Sequence, residues 1–190
     1  MTTSVRYYFA YNSPYAFLAN TRVVEALSGF DVELDYRPWW SPPSKSGGPD
    51  INSPKIQYIF EDAGRFAEAY GIELDPGPFA NTRHACIGFL YARDQGRGRE
   101  YHDLVYRARW QEGGDLGDDE VLAGIAEAAG LDAAGLRAAT ADAKYEQALA
   151  RINEEAGADG VFGVPTFVYE GERFWGNDRI EWLVRRLERA

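Results

Sequence analysis

The sequence predicts an α/β protein whose sheet comes from the two ends of the chain, with an all-helical block between them. Three observations carry this. Strand-like runs lie near residues 5–10, 32–37 and 166–175, apolar residues between 55 and 157 recur at helical spacing, and no convincing strand falls in that interval. The order is βαβ, helical block, ββα. It divides the chain into a sheet domain of residues 1–53 and 158–190 and an inserted helical domain of residues 54–157.

The elements follow in order. Residues 5–10 are β-branched and aromatic, which suits a strand buried on most sides. Ser13 then Pro14 has the form of an N-cap followed by proline in the first helical position, and Tyr15, Leu18, Ala19, Val23, Ala26 and Leu27 continue at helical spacing until Gly29 closes the helix. Val32, Leu34 and Tyr36 alternate with charged residues, giving a second strand that stops at Pro38. Residues 41–54 are a loop by composition.

The period then changes. Ile56, Ile59, Phe60, Ala63, Phe66, Ala67 and Tyr70 form one helical stripe ending at Gly71, and further stripes surround Cys86 and Leu104. Residues 95–100 read as a solvated connection, because no strand leads into them to make a phosphate loop. Helices follow over about 118–130 and 132–157, the second with a break near Thr140. A strand at 166–170 turns through Glu-Gly-Glu into residues 173–175, and Asp178-x-x-Glu181 predicts a capping box for the last helix.

Composition narrows the function. The 190 residues carry a net charge of -10 and no Lys/Arg block, which argues against a nucleic-acid partner. No apolar run approaches the roughly 20 residues of a membrane span, and the N-terminus lacks the basic-then-apolar layout of a secretory signal, which places the protein in the cytoplasm. The single cysteine, Cys86, excludes an intramolecular disulfide, a CxxC pair and a cysteine-rich zinc site. Asp118, Asp119 and Glu120 form an acidic first helical turn rather than a metal site, and His84 and His102 read as surface or core residues. No metal is expected.

The local motifs give a sharper expectation. Asn12-Ser13-Pro14-Tyr15-Ala16-Phe17-Leu18-Ala19-Asn20 resembles the start of helix one in 2-hydroxychromene-2-carboxylate isomerases and kappa-class glutathione transferases, within the DsbA branch of thioredoxin-like folds. Gly160 to Thr166 and Phe174 to Arg179 are similar to the two signatures near that family's C-terminus. Lys55 to Tyr58, Tyr70-Gly71 and Trp110 to Gly113 resemble its helical block, so the resemblance spans nearly the whole chain.

It implies a thioredoxin-like fold with a helical insertion, a homodimer, and a thiol cofactor, namely glutathione. The excess of Arg over Lys, 17 to 3, hints at a GC-rich genome and so admits mycothiol instead. Ser13-Pro14-Tyr15-Ala16 stands in the CxxC frame of the fold's dithiol oxidoreductases. A serine hydroxyl without an adjacent base is a poor nucleophile, so its task is donation. At a helix N-terminus it can hold a bound thiolate, and dipole and charge-assisted bond together contribute about 2 to 4 kcal/mol. Helix capping is the plain alternative.

Further site residues follow from the resemblance. Val164-Pro165 resembles the cis-proline turn, where the residue before proline pairs its backbone with the thiol ligand. Asn177 and Asp178 stand where the family holds the γ-glutamyl end of glutathione, and capping explains Asp178 equally well. Lys55 can meet the glycyl carboxylate, or be a solvated helix-start lysine. The segment Ser44 to Gly48 departs from the family in lacking an Asn often found there. Trp39, Tyr58 and Trp110 are candidate walls of an aromatic substrate pocket, and Arg83 is a candidate partner of a substrate carboxylate.

The activity implied is ring opening of a 2-hydroxychromene-2-carboxylate, an aromatic carboxylic acid. The thiolate adds to the conjugated system, a bond rotates, and elimination releases the product and regenerates the thiol. A kappa-like transferase using glutathione or mycothiol, and a non-catalytic thioredoxin-like binding protein, are the alternatives. Disulfide exchange is rejected, because Cys86 lies on a predicted helix without a resolving partner.

Overall fold

The structure is a computed structural model that describes residues 3–40, 50 and 52–190. Most of the predicted loop at 41–54 lies outside the described residues. The elements are β1 (Thr3–Phe9), α1 (Pro14–Ala26), β2 (Val32–Pro38), α2 (Pro54–Tyr70), α3 (Arg83–Asp94), α4 (Gly98–Gln111), α5 (Asp119–Ala128), α6 (Ala133–Ala139), α7 (Ala143–Ala158), β3 (Thr166–Tyr169), β4 (Glu172–Trp175), a 3-10 turn (Asn177–Arg179) and α8 (Ile180–Leu187). This is the predicted βαβ, helical, ββα order.

The described strands form one sheet in the order β2-β1-β3-β4. β1 runs parallel to β2, with Tyr7 opposite Tyr36, and antiparallel to β3, with Tyr7 opposite Phe167. A central strand needs apolar residues on both faces, which explains why Val5, Tyr7, Tyr8 and Phe9 are all buried. Tyr7 stacks on Phe167 with centroids 4.7 Å apart and meets Tyr36 edge-on at 5.5 Å, and α4 lays His102 and Tyr106 against the neighbouring Phe9. On the other face Arg6 binds Asp159 through two nitrogens at 2.7 and 2.8 Å, and the Tyr8 hydroxyl donates to the same carboxylate at 2.7 Å. The end of α7 is thereby fastened to β1.

The β3–β4 turn is a two-residue hairpin. Glu170 and Gly171 have φ of 48° and 82°, the positive pair that a type I′ turn requires. The helix break falls at residues 140–142, where Asp142 caps α7 by accepting the Lys144 N–H at 2.8 Å. Gly71 closes α2 in the left-handed conformation with φ of 68°.

Three local expectations are corrected. Gly29 does not close α1, which ends at Ala26 with Leu27 as its C-cap, because the chain leaves the helix without a left-handed residue. The connection before α4 is shorter than 95–100, since Gly98 already begins the helix. Asp178 and Glu181 form no capping box: a 3-10 turn precedes α8, neither makes a side-chain cap bond, and the Asp178 carboxylate lies 3.3 Å from Arg179. Among the described residues no helix is long and apolar enough to cross a membrane, and no group of three or more His, Cys, Asp or Glu could hold a metal ion.

Candidate functional site

Ser13 follows β1 by four residues and caps α1. Its Oγ accepts the Ala16 N–H at 3.2 Å and donates to the Val164 carbonyl at 3.2 Å. Its own N–H reaches Ala10 O at 3.0 Å, and its carbonyl accepts from Phe17 at 3.1 Å. With Pro14 lacking an N–H, Tyr15 holds the only first-turn amide of α1 that has no partner among the described residues. That amide and the positive end of the helix are what the position offers an anion.

Opposite α1, the Val164–Pro165 peptide bond is cis. The Gly176 N–H donates to Pro165 O at 2.9 Å, which ties this turn to the segment after β4. Around it opens a cleft of about 370 Å³ lined by residues of four segments: Tyr15 on α1, Asp62 and Phe66 on α2, Val164 and Pro165, and Trp175 to Arg179. The N–H groups of Val164, Asn177 and Asp178, like that of Tyr15, have no partner among the described residues. Four free backbone donors around one cleft suit an anionic, peptide-like ligand.

Side chains shape the cleft further. The Tyr15 hydroxyl donates to Asp62 at 2.9 Å, and burial together with that carboxylate raises the phenol well above its ordinary range. The Asn177 amide is buried and donates to the Tyr70 hydroxyl at 3.3 Å, while Arg22 donates to that hydroxyl at 2.7 Å. Gly176 has φ of 121°, and a Cβ there would lie 2.5 Å from Asp178 Oδ1. Glycine is therefore what lets the Asp178 carboxylate sit against the backbone at this edge.

The cleft brings together Val164, Pro165, Asn177 and Asp178, and Ser13 joins them through Val164. Lys55 is exposed in the first turn of α2, outside this lining, and so are Trp39, half-buried after β2, and Tyr58, which is 58% exposed. One candidate is corrected. Trp110 offers no surface to a substrate: it is fully buried, stacks on Phe17 at 6.1 Å, and donates its indole N–H to Tyr11 O at 2.9 Å. Arg83 lies outside this lining, with its guanidinium 2.6 Å from the exposed Glu146 carboxylate.

Cys86 is fully buried on α3, and burial pushes its thiol up to about 12. It is an inert core residue. His84 pairs at the surface with Asp119 at 3.0 Å, whereas His102 is buried with its Nδ1 3.3 Å from the Tyr11 hydroxyl. Sequence reasoning passed over Asp62, Tyr15 and Trp175 as cleft residues. A signal existed for Asp62, a carboxylate lying between Ile59 and Phe66 along the apolar stripe of α2.

Comparison with known proteins agrees with this layout. The DSBA-like thioredoxin domain matches residues 4–188. The chain is 32% identical over 198 residues to a 2-hydroxychromene-2-carboxylate isomerase from Sphingobium xenophagum, covering 98% of this chain and 99% of the relative. A solved 2-hydroxychromene-2-carboxylate isomerase superimposes with a TM-score of 0.84 at 26% identity, over 98% of this chain and 95% of the other. A probable DsbA oxidoreductase from Streptomyces coelicolor shares the fold, with a TM-score of 0.86 at 24% identity over 98% and 89% of the two chains. The chain therefore belongs to the DsbA-like thioredoxin domain family, as a relative along nearly its whole length of the 2-hydroxychromene-2-carboxylate isomerases.

Proposed function

We propose that this protein is a thiol-dependent isomerase of the 2-hydroxychromene-2-carboxylate isomerase type, acting on an aromatic carboxylic acid with glutathione as its thiol. The observation that carries the reading is the hydroxyl of Ser13 at the start of α1, facing the Val164 carbonyl, while the only cysteine is buried elsewhere. A scaffold that presents no reactive sulfur of its own, but keeps a donor at the sulfur position, is suited to a sulfur that arrives bound.

The cleft's donor set fits such a ligand. When bound, glutathione supplies the nucleophilic sulfur. Ser13 donates its Oγ–H to that sulfur and, with the Tyr15 N–H and the helix dipole, favours its anionic form. Val164 offers its N–H to the ligand backbone, and the Asn177 and Asp178 amides receive a carboxylate while the Asp178 side chain attracts an ammonium group. Asp62 adds a second carboxylate to the same cleft.

The test is the ring opening of 2-hydroxychromene-2-carboxylate, followed by ultraviolet absorbance with glutathione present and omitted, with the product mass measured. An isomer of unchanged mass, formed only with thiol, supports the reading. A thiol adduct as the stable product would make the protein a transferase, and turnover without thiol would remove the cofactor.

A further inference from the structure

Arg109 lies outside the cleft lining and is fully buried. Its neighbours on one face of α4 grip the turn that carries Ser13. Tyr106, Arg109 and Trp110 are spaced i, i+3 and i+4, and each holds one residue of that turn. The Tyr106 hydroxyl donates to Ala10 O at 3.3 Å, the Trp110 indole to Tyr11 O at 2.9 Å, and Arg109 Nε to Asn12 Oδ1 at 3.5 Å. Asn12 passes the constraint on through its side-chain amide, whose Nδ2 donates to Ala80 O at 2.7 Å.

The guanidinium is fixed from the other side as well. Arg109 Nη1 donates to Gly77 O, and its carbon lies 4.5 Å from the Trp110 ring centroid and 5.7 Å from that of Phe79. The covering segment is stitched to the end of α4, with Asp75 N donating to Trp110 O and Gly77 N to Arg109 O, both at 2.8 Å. A Cβ at Gly77 would collide with the Gly114 carbonyl, so backbone packs directly on backbone there.

The Trp110 and Phe79 rings are the partners of the charge itself among the described residues. No carboxylate among the described residues forms an ion pair with Arg109, and its Nη2 is buried without a partner. Asp115, which is exposed, acts on it only through space. Burying a cation with no carboxylate partner is costly, and the two carbonyl-type acceptors do not themselves require a charged donor. We propose that Arg109 is a positioning residue that fixes the Asn12–Ser13 turn and biases a sulfur placed at Ser13 toward its anionic form, an inference that rests on the reading of Ser13 given above. The charges lining the cleft itself are Asp62 on α2 and Asp178 and Arg179 on the 3-10 turn; the two carboxylates oppose the bias and the Arg179 guanidinium adds to it.

The test installs a thiol directly. In the full chain carrying Ser13→Cys, the ultraviolet absorbance of the introduced thiolate is followed against pH, with Arg109 intact and with Arg109→Gln, Arg109→Met and Arg109→Lys. The inference predicts that Gln and Met each lower the thiolate-to-thiol ratio near neutral pH about tenfold, and that Lys restores most of it. Arg109→Met also removes the charge and keeps the test available where Arg109→Gln does not fold. A titration that is unchanged in a folded neutral variant would overturn the inference and leave Arg109 as packing. Glutathione titrated into the protein with Ser13 intact tests the cofactor reading separately. Absence of binding there would sink that reading, while the introduced-thiol result would still decide the field of Arg109.

Discussion

Ser13 and Val164 are joined by one hydrogen bond of 3.2 Å across 151 residues of sequence. The bond connects the first turn of α1 to the cis-proline turn, the two backbone segments that face each other beside the cleft. The same oxygen accepts the Ala16 N–H, so its lone pair is engaged by the helix while its proton points to a carbonyl that a better acceptor can replace. A thiolate is such an acceptor.

Ser13→Ala removes both roles at once. Thiol-dependent turnover is expected to fall roughly 10- to 100-fold, the worth of one bond to a charged group, and stability by about 1 kcal/mol for the lost cap. Steady-state rates and urea unfolding separate the two effects. A stability loss with unchanged turnover would reduce Ser13 to a cap.

Cys86 is expected to take no part. Because its side chain is fully buried and its thiol is pushed up to about 12, alkylation of the native protein should proceed only at the rate of unfolding. Cys86→Ala should keep thiol-dependent turnover within about twofold. Rapid labelling under native conditions, or a dead variant that still folds, would reassign the working sulfur to the chain.

Gly176→Ala is expected to act on binding more than on fold. Its φ of 121° is one that side-chain-bearing residues rarely adopt, which costs about 1 to 3 kcal/mol. The added Cβ also pushes the Asp178 carboxylate from its place at the cleft edge. Calorimetry with glutathione should show weakened binding, and equal binding in the variant would remove Asp178 from the site.

His102 predicts the pH dependence of stability. It is buried among Phe9, Tyr106 and Tyr36 at 4.3, 4.8 and 5.0 Å, its Nε2 has no partner among the described residues, and burial holds the imidazole well below its ordinary range. The unfolded chain therefore binds the proton that the folded chain refuses. This contribution is full above about pH 6.5 and is lost as pH falls, by up to about 1.4 kcal/mol per pH unit. Asp94, held low by its hydrogen bond to Lys144, is ordered the same way but acts only near and below the usual carboxylate range. Urea unfolding between about pH 7 and 5 should show the slope, and His102→Phe should flatten it. An equal slope in the variant would assign the titration elsewhere.

The sequence made some features legible because the physics behind them is local. Ser13-Pro14 announces a cap, the Glu170-Gly171 turn a tight hairpin, and the residues near Thr140 a break between helices, each set by neighbours a few residues away. Gly29 and Asp178 misled for the complementary reason. A glycine near a helix end and an acid ahead of one are ordinary cap signals, but here the chain exits α1 at Leu27, and Asp178 sits in a 3-10 turn held by Pro165 through Gly176. Trp110 looks like a ligand residue until packing shows its ring covered by Phe17 and its indole N–H taken by Tyr11 O. Arg109 gave no sequence signal, because nothing in one dimension separates a buried cation from the solvated arginines around it.

The most direct test of the central claim is a crystal structure with glutathione bound. The account predicts the sulfur within hydrogen-bond reach of Ser13 Oγ, the ligand backbone beside Val164, and the γ-glutamyl end at Asn177 and Asp178. Glutathione bound elsewhere, or a cleft still free of it at saturating concentration, would contradict the claim that the working sulfur is held at Ser13.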